Sequence, residues 1–425
     1  MDKKISDKFL WGAATSSHQV EGQNYFNDWW SWEQALKVPD QSLLACDHYN
    51  RFREDFRIVK QLGHNSHRLS LEWSRLEPKE NKWDENAWSH YREVLSTLNS
   101  LGIEPFLTLN HFTLPKWLAD KGGWNYLQIS NYFENFAKKA VEKLGNLVTY
   151  WLTLNEPMVL AILSYLVGIW PPGKTSVANM TKAIELQMEA HVKAYRVMHK
   201  TANNIHHKKI YVGIAKNVAK MDPCTDGFIK NILPTFWRHH FYNHFFIWSL
   251  KHGCIFFPGL FFKILPLRGS LDFIGLNYYR RFHIKYAGLT LKKMLGDDCL
   301  CLEHRIGGKR TDLWWESYAQ GLYDLIKEFS RYHLPIIITE NGIATDDDNQ
   351  RIEFIKEHLD AVAKARADGF LVKGYFYWSL MDNFEWADGF QPHFGLVKID
   401  YASLQRMIRQ SAYFYSDYIK KIGLD

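Results

Sequence analysis

The stretch WSHYREVLSTLNSLGIEPFLTLNH, Trp88 to His111, decides the architecture. Its first half places Trp88, Tyr91, Val94, Leu95 and Leu98 on one face of a helix, the three-and-four spacing of an amphipathic segment. Gly102 then stands where a helix closes in a left-handed residue, and Pro105 opens an apolar run, Pro105–Leu109, of strand length. His111 follows that run almost directly. A helix that stops at glycine and passes into a buried strand is one unit of a βα repeat. The same device recurs at Tyr132–Leu144 with Gly145, and at Ile352–Ala367 with Gly369.

Outward from this unit, β-branched and aromatic runs appear at Phe9–Thr15, Asn65–Ser70, Pro105–Leu109, Tyr150–Leu154, Ile210–Ile214, Phe273–Leu276, Ile336–Thr339 and Gly374–Trp378. Eight such runs separated by helix-sized segments imply an α/β chain with parallel strands. The count of eight favours a (β/α)8 barrel over an open, doubly wound sheet. No linker, charge block or repeat divides the chain, so residues 1–425 read as one domain. Met158–Trp170 is uncharged but bracketed by prolines, and it is shorter than the roughly 20 residues a membrane span needs, so it reads as a buried helix. The aromatic-rich region between Ile214 and Phe273 is expected to hold a helix and loops over the catalytic face.

Composition narrows the function classes. Aromatic residues make up 16% of the 425 residues, which suits both packing and flat ligand faces. The formal net charge is +6, but the basic residues are scattered rather than gathered into a stripe, so a nucleic-acid partner is not expected. The five cysteines are an odd number in no framework spacing, and reduced thiols in a cytoplasmic protein are expected. The first residues carry no apolar core of a signal peptide. No metal or nucleotide motif is present, so no cofactor is expected. A homo-oligomer is left open.

Polar residues gather where the strands end: Arg68 in the second, His111 after the third, and Asn155 with Glu156 after the fourth. Asn277 and Tyr279 follow the sixth, Glu340 and Asn341 the seventh, and Trp378 closes the eighth. In a (β/α)8 barrel the active site is built at these C-terminal ends. Taken singly, each residue has a plain structural role, such as a surface ion pair, a core histidine or a helix N-terminal charge for Glu156. Six strand ends together weigh towards a site. Two carboxylates facing each other across a barrel mouth are what glycoside hydrolysis requires: one protonates the leaving oxygen, and the other attacks or stabilises the anomeric carbon. Glu156 and Glu340 are that pair.

These residues carry a resemblance. FLWGAATSSHQVEG (Phe9–Gly22), TLNEP (Thr153–Pro157), GLNYY (Gly275–Tyr279), ITENG (Ile338–Gly342) and YWSLMDNFEW (Tyr377–Trp386) resemble, in order, the motifs of glycoside hydrolase family 1, the β-glucosidase and β-galactosidase family. The resemblance spans nearly the whole chain. It implies a retaining β-glycosidase acting on terminal β-D-glycosyl residues of a small glycoside or oligosaccharide, with Glu156 as acid/base and Glu340 as nucleophile. Gln19, His111, Asn155, Glu385 and Trp386 would hold the sugar hydroxyls, and Trp378 would form the stacking floor. Trp315 would flank the aglycone, and Phe394 would lie near the glycone. Arg68, Asn277 and Tyr279 would support the nucleophile. The chain departs from the family at Phe112, where tryptophan is usual, and at Ala319-Gln320, where Pro-Glu is common. It is also short, which implies trimmed aglycone loops. Two rival readings follow from the same motifs. One is an inactive sugar-binding relative, which both carboxylates argue against. The other is a 6-phospho-β-glycosidase, for which Glu385 is the wrong charge and Lys398 is no clamp.

Overall fold

The computed structural model describes residues 8–36, 39–257, 261–288, 293, 295–299, 301 and 308–422. Side chains alternate along a strand, so a strand that is apolar on both faces belongs between two layers. Eight strands here are buried on both faces within the barrel, most of them apolar and β2 polar: β1 (Leu10–Ala14), β2 (Ser66–Ser70), β3 (Glu104–Asn110), β4 (Tyr150–Asn155), β5 (Tyr211–Pro223), β6 (Ile274–Lys285), β7 (Ile336–Asn341) and β8 (Val372–Trp378). Each pairs in parallel with the next, β8 pairs with β1, and β5–β6 pairing completes a closed (β/α)8 barrel. Leu10, Phe106, Tyr150, Tyr211, Phe273, Ile337 and Phe376 fill its interior. Phe106 lies 5.6 Å from Tyr150 and 5.1 Å from Phe376, ring centre to ring centre. The alternate positions, Trp11, Leu107, Trp151, Val212 and Ile338, face outward into the larger core beneath the helices.

Those helices include α1 (His48–Gln61), α2 (Glu85–Ser100), α3 (Ile129–Leu144), α4 (Val177–Thr201), α5 (Phe228–His239), α6 (Ala319–Phe329), α7 (Asp348–Ala367) and α8 (Gln410–Ile422). Helix α2 behaves as its spacing requires. Asp84 caps it by accepting from the Asn86 and Ala87 amides, and Trp88, Tyr91, Val94, Leu95 and Leu98 are all buried. Gly102 and Gly369 take the left-handed φ of +71° and +87° expected of them. Gly145 does not. It keeps a helical φ of −60°, and it is glycine because a Cβ there would stand 2.6 Å from the His206 ring.

Three expectations change. The Met158–Trp170 helix is shorter, spanning Pro157–Ile162 before a π-turn at Leu163–Val167, and Val167 and Ile169 are exposed. Strands β5 and β6 run well past Ile214 and Leu276 because they go on pairing beyond the barrel, as far as Pro223 opposite Ile284. Ala219, Met221, Phe282, Ile284 and Tyr242 give that extension its own apolar cover. The same extension brings Cys224 to Cys299, and the two form a disulfide where reduced thiols were expected. No helix among the described residues is long and apolar enough to cross a membrane.

Candidate active site

A cavity of about 270 Å³ opens at the C-terminal ends of the strands. Gln19, His111, Asn155, Glu156, Tyr279, Trp315, Glu340, Trp378, Glu385, Trp386 and Phe394 all line it. Arg68 and Asn277 lie fully buried behind these residues. The thirteen positions singled out from sequence thus converge on one site.

Glu340 sits at the end of β7, held from both sides. The Arg68 Nη1 donates to its Oε1 at 2.5 Å, and the Tyr279 hydroxyl donates to its Oε2 at 2.5 Å. Arg68 spends its remaining donors on the Thr339 carbonyl at 3.0 Å, Thr108 Oγ1 at 3.3 Å and Asn155 Oδ1 at 2.7 Å. Burial, and then the Glu340 charge, push the Tyr279 phenol well above its usual range, so it stays a donor. Gly342 lies just beyond Asn341, where a Cβ would be 1.8 Å from the Trp378 carbonyl oxygen. Only glycine lets β7 and β8 approach so closely there.

Glu156 is held differently. It caps the Pro157–Ile162 helix in a left-handed conformation, φ 44° and ψ 55°, with its amide bonded to the Ala215 carbonyl at 2.8 Å. Non-glycine residues adopt that region at a cost of about 1–3 kcal/mol, which the surrounding packing must offset. Among the described residues no cation forms an ion pair with its carboxylate, although the Lys216 charge nearby favours its ionised form. Its Oε1 accepts from the amides of Asn277 at 2.8 Å and Asn217 at 3.0 Å. Burial, and then the Glu340 charge, raise its pKa to about 7. Asn277 therefore serves Glu156, not Glu340. It stands opposite Glu340 in the β6–β7 register, but its amide points across to the other carboxyl while Thr339 Oγ1 donates to its Oδ1 at 2.6 Å.

Asn155 links the two halves. Its Oδ1 accepts from Arg68 and, at 3.1 Å, from Asn277, which fixes its amide nitrogen towards His111 Nε2 at 3.0 Å. His111 must then carry its proton on Nδ1, which has no partner among the described residues. Burial, and then the Arg68 charge, hold that imidazole neutral, well below its usual pKa. Trp378 and Trp386 lie nearly parallel to the His111 ring at 5.8 Å and 6.2 Å. The Trp378 indole donates to Glu385 Oε1 at 3.2 Å. Burial raises the Glu385 pKa to about 8, with Glu340 and Asp388 adding to the rise, so this carboxyl is mostly protonated at neutral pH. The amide of Gln19 donates to Asn383 Oδ1 at 2.8 Å and the Phe384 carbonyl at 2.9 Å. Trp315 and Phe394 pack around Tyr279, their ring centres 5.8 Å and 6.0 Å away.

Among the cavity residues that were not foreseen are Asn217, Val218, Tyr242 and Arg280. Lys216-Asn217 is a polar pair where the expected fifth strand stops. The rule that pointed to the other strand ends would have found Asn217. Nothing local marks Tyr242, whose hydroxyl donates to Asn217 Oδ1 from a π-turn remote in sequence.

The description "Glycosyl hydrolase family 1" belongs to the family model that matches residues 1–254 and 262–424. Beta-glucosidase A of Thermotoga maritima is 32% identical, over 100% of this chain and 99% of that protein. The beta-galactosidase of Pyrococcus woesei is 30% identical, over 96% and 95%. Among solved structures, a beta-glycosidase from Pyrococcus horikoshii superposes with a TM-score of 0.90 at 40% identity, covering 98% of this chain and 95% of that one. A Thermotoga maritima beta-glucosidase in complex with glucoimidazole gives 0.89 at 32% identity, covering 99% and 100%.

Proposed function

Because the chain belongs to glycosyl hydrolase family 1, we propose that it is a retaining β-glycosidase that cleaves terminal β-D-glucosyl or β-D-galactosyl residues, with Glu340 as nucleophile and Glu156 as acid/base. The observation that carries the assignment is the unequal support of the two carboxyls. Arg68 and Tyr279 each donate to one oxygen of Glu340 and hold it at the end of β7. Among the described residues Glu156 has only the amides of Asn277 and Asn217 on its carboxyl, and its pKa is about 7. A carboxyl with a raised pKa suits the acid, and one held still by a guanidinium and a phenol suits the nucleophile.

The sequence of steps follows. The leaving oxygen takes the Glu156 proton as Glu340 attacks the anomeric carbon, forming a glycosyl-enzyme and cancelling the Glu340 charge. That removes one of the two causes of the raised Glu156 pKa. Burial, the larger cause, remains, so Glu156 becomes a moderately strong base towards the incoming water. The Nδ1–H of His111 and the carboxyl of Glu385 are donors suited to the sugar hydroxyls, and Trp378 offers a face for its C–H surface. An unphosphorylated sugar is supported less by charge than the sequence suggests, since Glu385 carries a proton near neutral pH. It is supported by bulk: the large side chains of Glu385 and Trp386 line the cavity, and Lys398 is exposed and off it. Proton NMR of an aryl β-glucoside digest tests the stereochemistry. The first-formed sugar is expected to be the β-anomer, and an α-anomer preceding mutarotation would replace the two-step mechanism with an inverting one.

A further inference from the structure

Tyr242, Trp315 and Arg280 line the active-site cavity together with Glu156 and Asn217. The Tyr242 hydroxyl donates to Asn217 Oδ1 and the Asn217 amide donates to Glu156 Oε1, so Tyr242 stands on the Glu156 side, and the charges of both Arg280 and Glu156 bear on its phenol. Arg280 extends from β6 one residue past Tyr279. Its guanidinium lies 4.0 Å from the centre of the Phe282 ring and 4.7 Å from that of Trp315. Among the described residues it makes no hydrogen bond and no ion pair, although it is half-buried. Its neighbours are otherwise. Arg281 donates to Glu316 at 2.9 Å, and Arg238 pairs with Asp298 at 2.7 Å, which engages the nearest carboxylate. Lys216 lies nearby, with its Nζ on the Asn217 carbonyl at 2.5 Å, but burial lowers its pKa to about 7, so Arg280 is the lasting positive charge of the two.

A guanidinium has five N–H donors in a planar fork that matches a carboxylate or phosphate edge. Stacking on two rings fixes the plane of Arg280 but satisfies none of those donors. Holding a cation partly out of water with every donor free is unfavourable unless something in the cavity completes it. The leaving group must lie on this side, because Glu156 is the group that protonates it. We propose that Arg280 forms an anion-recognising aglycone subsite, and that the enzyme favours β-glycosides whose aglycone carries a carboxylate or similar oxyanion. This rests on the reading of Glu156 as acid/base, which places the aglycone beyond it.

The test compares 3- and 4-carboxyphenyl β-D-glucosides with their carbamoyl counterparts, which are close in shape but neutral. The ratio of kcat/KM, carboxylate over amide, is measured for the wild type, Arg280→Met and Arg280→Lys. Comparing one ratio across the three enzymes cancels the different acidities of the two phenols. For at least one ring position the ratio is expected to fall about tenfold or more in Arg280→Met, as loss of a charge-assisted hydrogen bond implies. Arg280→Lys should keep part of it. Raising ionic strength should lower the wild-type ratio and leave that of Arg280→Met unchanged. Equal ratios in wild type and Arg280→Met at both ring positions would overturn the subsite. If the wild type cleaves neither the carboxylate nor the amide, the glycosidase reading fails instead, so the two failures are distinguishable.

Discussion

At the scale of single residues, Arg68 shows how the site holds the Glu340 carboxyl in place. It is fully buried, and its bonds to Thr108, Thr339, Asn155 and Glu340 hold the guanidinium in place. Removing Glu340 would leave Arg68 and Tyr279 facing an open cavity. Glu340→Gly is therefore expected to keep its fold by circular dichroism while losing several orders of magnitude in kcat. Added azide should restore part of the activity and give a glycosyl azide of inverted configuration. Wild-type turnover by Glu340→Gly would remove Glu340 from the mechanism. Glu156 sets the pH dependence. Its acid form is needed for glycosylation and its pKa is about 7, so kcat/KM should decline as pH rises through about 7. Glu156→Gln should lack that alkaline limb. It should also lose far more on alkyl glycosides than on dinitrophenyl ones, since general acid help is worth about 10²–10⁴ only where the leaving group needs a proton.

At the scale of elements, the β5–β6 extension does what the barrel alone cannot. It carries Asn217 to Glu156 and sets Tyr242 and Arg280 along the cavity wall. The Asn217 amide favours the charged form of Glu156, so its loss raises the pKa of that carboxyl. Asn217→Ala should move the alkaline limb of kcat/KM upward, with Tm little changed. An unmoved limb would make Asn217 a bystander. The barrel elements were legible because period-two and period-3.6 apolar patterns, closed by Gly102 and Gly369, report local structure directly. The β5 and β6 extensions were not, because Lys216–Pro223 and Arg280–Lys285 become strands only by pairing with each other. The cavity wall shared by Gln19, Trp378 and Glu385 was legible through its motifs. The role of Asn277 was misread because register places it beside Glu340, while its side chain reaches the other carboxyl.

At the scale of the whole molecule, several buried groups titrate against their usual values, and stability inherits this. Burial raises Asp28 and Glu156 to about 7 and Glu385 to about 8. For an acid raised in the folded state, stability is fully present below the unfolded value and is lost as pH climbs through the folded one. Burial lowers Lys216 to about 7, which works in the opposite sense as pH rises from there towards its usual 10.5. His64, His90, His191, His244 and His358, lowered by burial to about 3, 4, 4, 4 and 4, and His67 and His111, held well below their usual range, add stability as pH rises through the unfolded value near 6.5. Glu385→Gln isolates one of these groups. Because the raised Glu385 costs the wild type stability as pH climbs towards about 8, the Tm of the variant minus that of the wild type should increase from pH 6.5 to 7.5. A difference that stays flat over that interval would show that Glu385 is not protonated in the folded enzyme.

The central claim, that Glu340 bonds the sugar while Glu156 does not, is met most directly by trapping the intermediate. An activated 2-deoxy-2-fluoro-β-D-glucoside slows both steps but leaves the first accessible, so the glycosyl-enzyme accumulates. Intact mass, followed by peptide mapping, should show one fluoroglucosyl group per chain, attached within the peptide containing Ile338–Gly342 and localised to Glu340. Attachment at Glu156, or turnover of the fluoroglucoside with no covalent species at all, would contradict the account.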